Sequence, residues 1–549
     1  MISLSLYTGH NAAICIVKDG EILLNWELER FSRIKHDYGY NHEFLEKSLA
    51  LCDLEFSDID HIITNRQSYG RSAPWHYSIP DTSKNYIVEF KIKGKPAFAI
   101  NHHLAHVAST FLSSPFENSV IITQDGGGDD ENFSFAFGQN NKILNFSTAR
   151  VKNISAWWSG ITLNNYRMPR LHEWDPGSGA GKIMALASYG QTSPELEKIL
   201  ENSMQMGRQS YYTDPESAAF NNDEDLSDVW SMRSKNVAAA LQSITETELR
   251  LLYQDVHNWD TYKSETLCLA GGLALNCVAN TRVKSPYKNI HVPPFPNDTG
   301  LAAGMGLLHW HHILENSRDH RRYFSPYLGP RYDNTTVKKA IKRSGFHYYP
   351  FDMEYLTDYL AKRKVICMYH GRSESGPRAL GHRSIMVVPD SSFGRDHLNF
   401  NIKMREWYRP YAPIILDKYV DDILDDYLPV SPYMSTSGII KTKWRKKLSA
   451  VNHVDNSTRP QIIKREHEPF IYNLIEQVYK KTGIPALLNT SFNNQEPIVE
   501  TPEQALATFK DFDIDLMVMD NYIVEKKPAS NPNFKKHLKV KEDEFLVHT

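Results

Sequence analysis

Two histidines four residues apart open the chemistry of this sequence. His102 and His106 stand in Asn101-His102-His103-Leu104-Ala105-His106, where Asn101 can cap a helix. Positions i and i+4 share one helix face, so both rings can reach one metal ion. Carboxylates that could complete the set stand after strand-like segments. Asp125 precedes Gly126-Gly127-Gly128, where a turn is expected, and Asp298 precedes Thr299-Gly300 and a helix start. Two imidazoles and two carboxylates suit iron, manganese or zinc, with open positions for water or a phosphate oxygen. The alternative is that the histidines are ordinary satisfied helix residues and both aspartates are caps. The H-E-x-x-H order of zinc proteases is absent.

Glycine-rich turns form a second group. Asp175-Pro176-Gly177-Ser178-Gly179-Ala180-Gly181-Lys182 would present backbone N–H groups to an anion, with Lys182 as a point charge. It is not a Walker A motif, because the frame fails at Ile183. Gly271 and Gly272 follow a strand and precede a helix, which would let a nucleotide approach the backbone, and Asn276 could reach a ribose or base. Singly, such glycines usually only turn the chain. With Gly9-His10-Asn11 and the glycines after Asp125 they read as two phosphate hairpins and an adenosine loop.

A third group is basic. Arg378 and Arg383 lie on the small-residue turn Glu374–Ser384. Lys403, Arg405, Arg409 and Arg459 follow, and Asn489-Thr490-Ser491-Phe492-Asn493 is a polar loop directly after a strand. Converging cations and hydroxyls would suit a triphosphate and a second small anion. Solvated helix faces are the competing reading; placement beside Gly and Pro favours binding.

The elements that must position these groups are α/β. Ile2–Tyr7, Ala12–Val17 and Glu21–Trp26 read as a strand hairpin and its return, and Ser119–Thr123 with Phe133–Phe137 repeats the unit about 115 residues later. Residues 190–260 read as a polar helical insertion. A boundary is expected near 320–335, where the chain is charged and then rich in turn residues. At 549 residues the chain holds roughly three or four domain-sized units. Hydrophobic residues are 41% and charged residues 23%, which excludes a mainly disordered chain. A formal charge of −3 argues against a sequence-blind coater of DNA. Five cysteines without a C-x-x-C pair point away from a disulfide framework and toward a reducing compartment. With no basic n-region, no cleavage site and no apolar run of about 18 residues, the expected setting is cytoplasmic, without a membrane partner.

Taken in order, the motifs resemble those of the antibiotic and nodulation-factor O-carbamoyltransferases, the NodU, CmcH and TobZ group. The resemblance rests on Gly9-His10-Asn11-Ala12-Ala13, Glu29–His36, the His102/His106 pair and Asp125–Gly128. It continues through Gly181–Gly190, Gly271–Asn276, Asp298-Thr299-Gly300, Ser375–Gly381 and Asn489–Asn493. It implies a duplicated actin/hexokinase-superfamily, TsaD-like domain over 1–325 and an α/β YrdC-like domain over 326–549. The implied activity begins with carbamoyl-adenylate formation from carbamoyl phosphate and Mg2+-bound ATP, followed by transfer to an acceptor hydroxyl. By resemblance His102, His106, Asp125 and Asp298 hold a metal, iron first and manganese or zinc otherwise. Lys182, Gly271, Gly272 and Asn276 hold the nucleotide, and His10 and Lys35 line the transfer site, with His10 the candidate for orienting or deprotonating the acceptor. Arg378, Lys403, Arg405, Arg459, Ser491 and Asn493 bind carbamoyl phosphate and the ATP phosphates. Two positions depart from the pattern. Asn11 stands where many relatives carry Asp, so it is given no base role, and His382 often corresponds to Asn.

The acceptor is left open. A sugar, natural product or other small alcohol leads, with Trp157, Trp158, Tyr166, Arg167, Arg170 and Trp174 as a candidate wall. A hydroxymethylated nucleobase such as 5-hydroxymethylcytosine in DNA is the alternative, suggested by five cations and an aromatic in Lys441–Lys447. A solvated helix face is the commoner fate of such a run. A tRNA threonylcarbamoyl-adenosine-type enzyme would share the domain types, and a nucleotide sensor would share the glycine loops. The oligomeric state is open, a homodimer included.

Overall fold

The computed structural model describes residues 1–66, 85–129, 131–168, 179–206, 225–284 and 286–527. Its N-terminal half contains two sheets built on one plan. In the first, Ile2–Tyr7, Ala13–Lys18 and Glu21–Glu27 form an antiparallel meander. The first of these also pairs in parallel with His61–Asn65, and that strand with Lys95–Ile100. In the second sheet Asn118–Gly128, Glu131–Gln139 and Lys142–Ala149 repeat the meander, and Asn118–Gly128 pairs in parallel with Thr266–Ala270, which leads on to Asn289–His291. The shared strand order is the duplication expected from the sequence.

Helices fill the space between the sheets. His102–Phe111 is buried at every residue. Asn101 Oδ1 accepts from Leu104 N at 3.1 Å and so starts this helix on a fixed turn. The helix Leu301–Leu307 crosses it closely, because a Cβ on Gly304 would sit 2.2 Å from the Ala105 carbonyl. That crossing brings the two histidines to the loop carrying Asp298. Helices Pro194–Met206 and Met232–Trp259 pack over the second sheet.

The C-terminal half is built on an eight-stranded mixed sheet with the largest apolar core of the chain. Strand Ile366–Tyr369 pairs with Arg383–Val387, which pairs with Ala486–Ser491. The segment between the first two, 370–382, docks on the N-terminal half. Gly376 N donates to Glu27 Oε1 at 2.6 Å, and Ser375 Oγ to the Asn25 carbonyl at 2.9 Å. Gly376 takes φ +101, and a Cβ there would meet the Pro294 carbonyl at 2.3 Å. The position admits glycine for both reasons.

Two local expectations need correction. The strand ending in Asp125 does not stop at a glycine turn. It runs to Gly128, with a register shift between Gln124 and Gly128 that re-aims Asp125. Arg383 does not belong to an open basic pocket. It is fully buried, with its guanidinium 3.7 Å from the Tyr369 ring centre and 3.8 Å from Glu500 Oε1.

Candidate functional site

His102, His106, Asp125 and Asp298 converge, with one ligand atom from each within 4.8 Å of the others. His102 Nε2 lies 3.3 Å from Asp125 Oδ2 and 3.7 Å from Asp298 Oδ1, and His106 Nε2 lies 3.3 Å from the same Oδ1. These separations suit donors placed around one ion better than direct hydrogen bonds. Both ring nitrogens of His106 are buried without a hydrogen-bond partner, which protein avoids unless something else satisfies them. The residues therefore fit a divalent metal. Burial opposes charge on His102, but Asp298 and Asp125 outweigh it and raise the ring to about 9. Burial works against ionised Asp298 too, yet His10 and His102 keep it below the usual carboxylate value.

Neighbours orient the carboxylates. Gly272 N donates to Asp125 Oδ1 at 2.6 Å, so this glycine's N–H serves the carboxylate directly. Tyr7 Oη donates to Asp298 Oδ2 at 2.5 Å, and His10 Nε2 stands 3.3 Å from that oxygen. Gly271 takes φ +91, and a Cβ on it would fall 2.1 Å from the Gln124 carbonyl, so the approach of the two loops requires glycine.

One cavity of about 1000 Å³ joins this cluster to the C-terminal half. Its walls include His10, Asp125 and Asp298, then Lys182, Gly272 and Asn276, then Arg378, Arg405, Arg459 and Ser491. Ten of the expected residues are thus brought to one space, with His102 and His106 buried behind the carboxylates. Arg378 makes no hydrogen bond or ion pair among the described residues. Burial, then Arg459, lowers its guanidinium to about 9, so an anion here would relieve both. Arg405 Nε donates to Asn399 Oδ1 at 2.8 Å and its guanidinium lies over the Tyr411 ring. Lys182 pairs with Glu406 at 2.7 Å.

The other expected residues are placed differently. Lys403 is 4% exposed and lies outside the cavity wall. Its ammonium donates to the Ser491 carbonyl at 2.9 Å and to Asn493 Oδ1 at 2.6 Å, which braces the 489–493 loop. Asn493 also receives Ser491 Oγ at 2.7 Å and is likewise off the wall. Gly271 lies behind Gly272, and Lys35 is half-buried within electrostatic reach of Glu29, Arg409 and Lys182. Asn276 borders the cavity, but its side chain is engaged with Gln242 and caps Ala279 N. Residues 175–178 of the glycine loop, with Arg170 and Trp174, lie outside the described residues. Trp157 and Trp158 are buried and border the cavity, whereas Tyr166 is tied to the Ser234 carbonyl and Arg167 to Asp225.

Sequence reasoning missed Tyr7 and gave no role to His36. His36 lines the cavity, and its Nδ1 lies 2.6 Å from Asn11 Oδ1, with Asn11 at φ +61. The signal was the motif context; the residue types alone carried none. In the basic run 441–447, Lys443 pairs with Asp422, and Trp444 is buried and donates to the same carboxylate at 2.9 Å. That aromatic is not free to stack on a base.

A buried two-histidine, two-carboxylate cluster thus faces a cation-lined cavity with room for an anionic ligand. The chain belongs to the carbamoyltransferase family. The family's N-terminal model, "Carbamoyltransferase N-terminus", matches residues 71–307 and "Carbamoyltransferase C-terminus" matches 357–526. Nodulation protein U of Sinorhizobium fredii is 31% identical over 71% of this chain and 72% of its own length. Nodulation protein NolNO of the same species is 29% identical over 95% and 80%. Among solved structures, HypF of T. kodakarensis covers 58% of this chain and 49% of its own, at 12% identity and a TM-score of 0.30, a remote likeness. The protein is a carbamoyltransferase. No described helix is long and apolar enough to cross a membrane.

Proposed function

We propose that this carbamoyltransferase is ATP-dependent and works in two steps within one cavity. Carbamoyl phosphate and Mg2+-bound ATP bind at the C-terminal end, where Arg378, Arg405 and Arg459 face the space from three different loops. Water cleaves carbamoyl phosphate, the bond between the carbamoyl group and phosphate breaks, and carbamate and inorganic phosphate form. A carbamate oxygen attacks the ATP α-phosphorus, the α–β bridge breaks, and pyrophosphate leaves with carbamoyl-adenylate formed. The three guanidinium groups offset the charge that accumulates on the phosphates. Carbamate is unstable in water, so an enclosed space protects it. Lys403 and Asn493 serve by holding the Ser491 loop against this end.

The adenylate reaches the opposite end without leaving the protein. There an acceptor hydroxyl attacks the carbamoyl carbon, the bond from that carbon to the adenylate oxygen breaks, and AMP leaves. His10, one-third exposed and beside Asp298, is placed to orient the hydroxyl and take its proton. His102, His106, Asp125 and Asp298 would hold a divalent metal, iron first, whose chemistry is Lewis-acid support of phosphate oxygens. Lys182 and the Gly272 loop flank the nucleotide.

The acceptor class we favour is a small or saccharide alcohol. The buried Trp444 and the paired Lys443 weigh against a nucleic acid acceptor through that face. The single observation behind the reading is the shared cavity, with Arg378, unpaired among the described residues, at one end and the His/Asp cluster at the other. The test is to supply ATP, carbamoyl phosphate and a panel of alcohols, sugars and hydroxymethylated DNA. An acceptor that gains one carbamoyl mass while AMP appears supports the reading. Pyrophosphate released only with threonine and bicarbonate would replace it with the threonylcarbamoyl chemistry.

A further inference from the structure

Away from the cavity, a second cluster of ligating side chains stands in the C-terminal half. His370 follows the strand Ile366–Tyr369, His382 precedes Arg383–Val387, and Glu468 stands before the helix Pro469–Thr482. One ligand atom from each lies within 4.8 Å of the others. None of the three borders the cavity described above.

The tautomer of His382 is the telling detail. Its Nδ1 lies 2.6 Å from the Arg372 carbonyl, which can only accept, so Nδ1 carries a proton and donates. In the neutral ring Nε2 is then a bare lone pair. That lone pair faces Glu468 Oε2 at 3.0 Å. Two acceptors face each other in a pair under a tenth exposed, and something positive must sit between them. A proton would do, and so would a metal, since 3.0 Å is near the distance between neighbouring ligands with bonds of roughly 2.1 Å. His370 favours the metal. Its Nδ1 is buried without a hydrogen-bond partner and lies 3.6 Å from Asp520 Oδ1. Both rings are held in place by stacking. His370 lies on Phe470 at 4.1 Å and His382 on Tyr327 at 3.7 Å between ring centres. A carbonyl bonded to the far nitrogen is the usual way protein orients a ligating histidine.

We propose that His370, His382 and Glu468 form a second transition-metal site, of the kind that takes zinc or cobalt, distinct from the His102/His106 cluster. Its role is structural. It ties a strand end, the N-terminus of a helix and both ends of the 370–382 segment together. That segment carries Arg378 into the cavity and docks on the N-terminal half through Ser375 and Gly376.

The test uses the full chain, stripped with a chelator and titrated with Co2+ while the visible d–d absorption is followed. The wild type is expected to take one more equivalent than the His370→Ala variant, which loses a ring that is 26% exposed and should fold. Glu468→Gln should lose the same equivalent and the same band. His106→Ala should keep that band, so loss of the first site does not obscure the second. Removal of His370 and Glu468 in turn with no change in Co2+ stoichiometry or spectrum would overturn the proposal and leave a proton between His382 and Glu468.

Discussion

Tyr7 Oη donates to Asp298 Oδ2 at 2.5 Å across 291 residues of sequence, and this bond fixes the carboxylate that both His102 and His106 face. Tyr7→Phe removes the donor and keeps the buried ring. Metal affinity should fall by about 10–100-fold, as is usual when a ligand loses its orienting partner. A metal titration of the stripped chain measures it, and unchanged affinity at the His102/His106 cluster would mean that Tyr7 only packs.

His106→Ala should remove that cluster's metal and the transfer step. Formation of carbamoyl-adenylate at the opposite end of the cavity should continue, because among the described residues no hydrogen bond or ion pair joins His106 to the basic end. Metal analysis and pyrophosphate release, read together, separate the two steps. Loss of pyrophosphate release with metal retained would contradict the division of labour.

Arg378 and Lys403 should behave differently on substitution, although both are cations of the same region. Arg378 has no partner within the described residues, so Arg378→Ala should leave the melting temperature nearly unchanged. Carbamoyl-phosphate-dependent pyrophosphate release should fall at least ~100-fold, about 2.7 kcal/mol of transition-state stabilisation. Lys403→Met removes the buried ammonium that donates to the oxygens of Ser491 and Asn493, at a cost of about 1–3 kcal/mol in stability as well as in activity. Thermal melts beside rates distinguish a ligand-binding cation from a bracing one.

His291 supplies a pH dependence with a definite sign. Its Nδ1 lies 3.1 Å from the Val430 carbonyl, its Nε2 is buried without a partner, and burial pushes the ring from 6.5 to about 4. Between those values the unfolded chain binds a proton that the folded chain refuses. Stability is therefore constant above about pH 6.5 and declines as pH falls toward 4, by on the order of 3 kcal/mol from this group. In His291→Asn, which keeps a donor near Val430, the difference from wild type should shrink over that window. Parallel melting curves for the two proteins at every pH would contradict it.

The ligand cluster was legible because periodicity is local. His102 and His106 need only one helix turn, and Asp298 announces its own helix start. The duplicated plan was legible because each meander repeats the same strand–turn–strand unit. What escaped depends on tertiary placement. Nothing near Tyr7 in the sequence points to Asp298. Lys403 and Asn493 share the chemistry of phosphate binders, and only the fold shows that they bind one another. Arg383 looks like Arg378 in sequence, yet its strand sends it into the core beside Tyr369 and Glu500. The turn expected after Asp125 failed because tertiary pairing carried the strand through three glycines.

The most direct test of the account is pyrophosphate release from ATP by the purified chain, with and without carbamoyl phosphate. Release that requires carbamoyl phosphate, and that Arg378→Ala abolishes, is the expected result. ATP that binds but yields no pyrophosphate with carbamoyl phosphate present would contradict the adenylate route and assign the cavity a different donor.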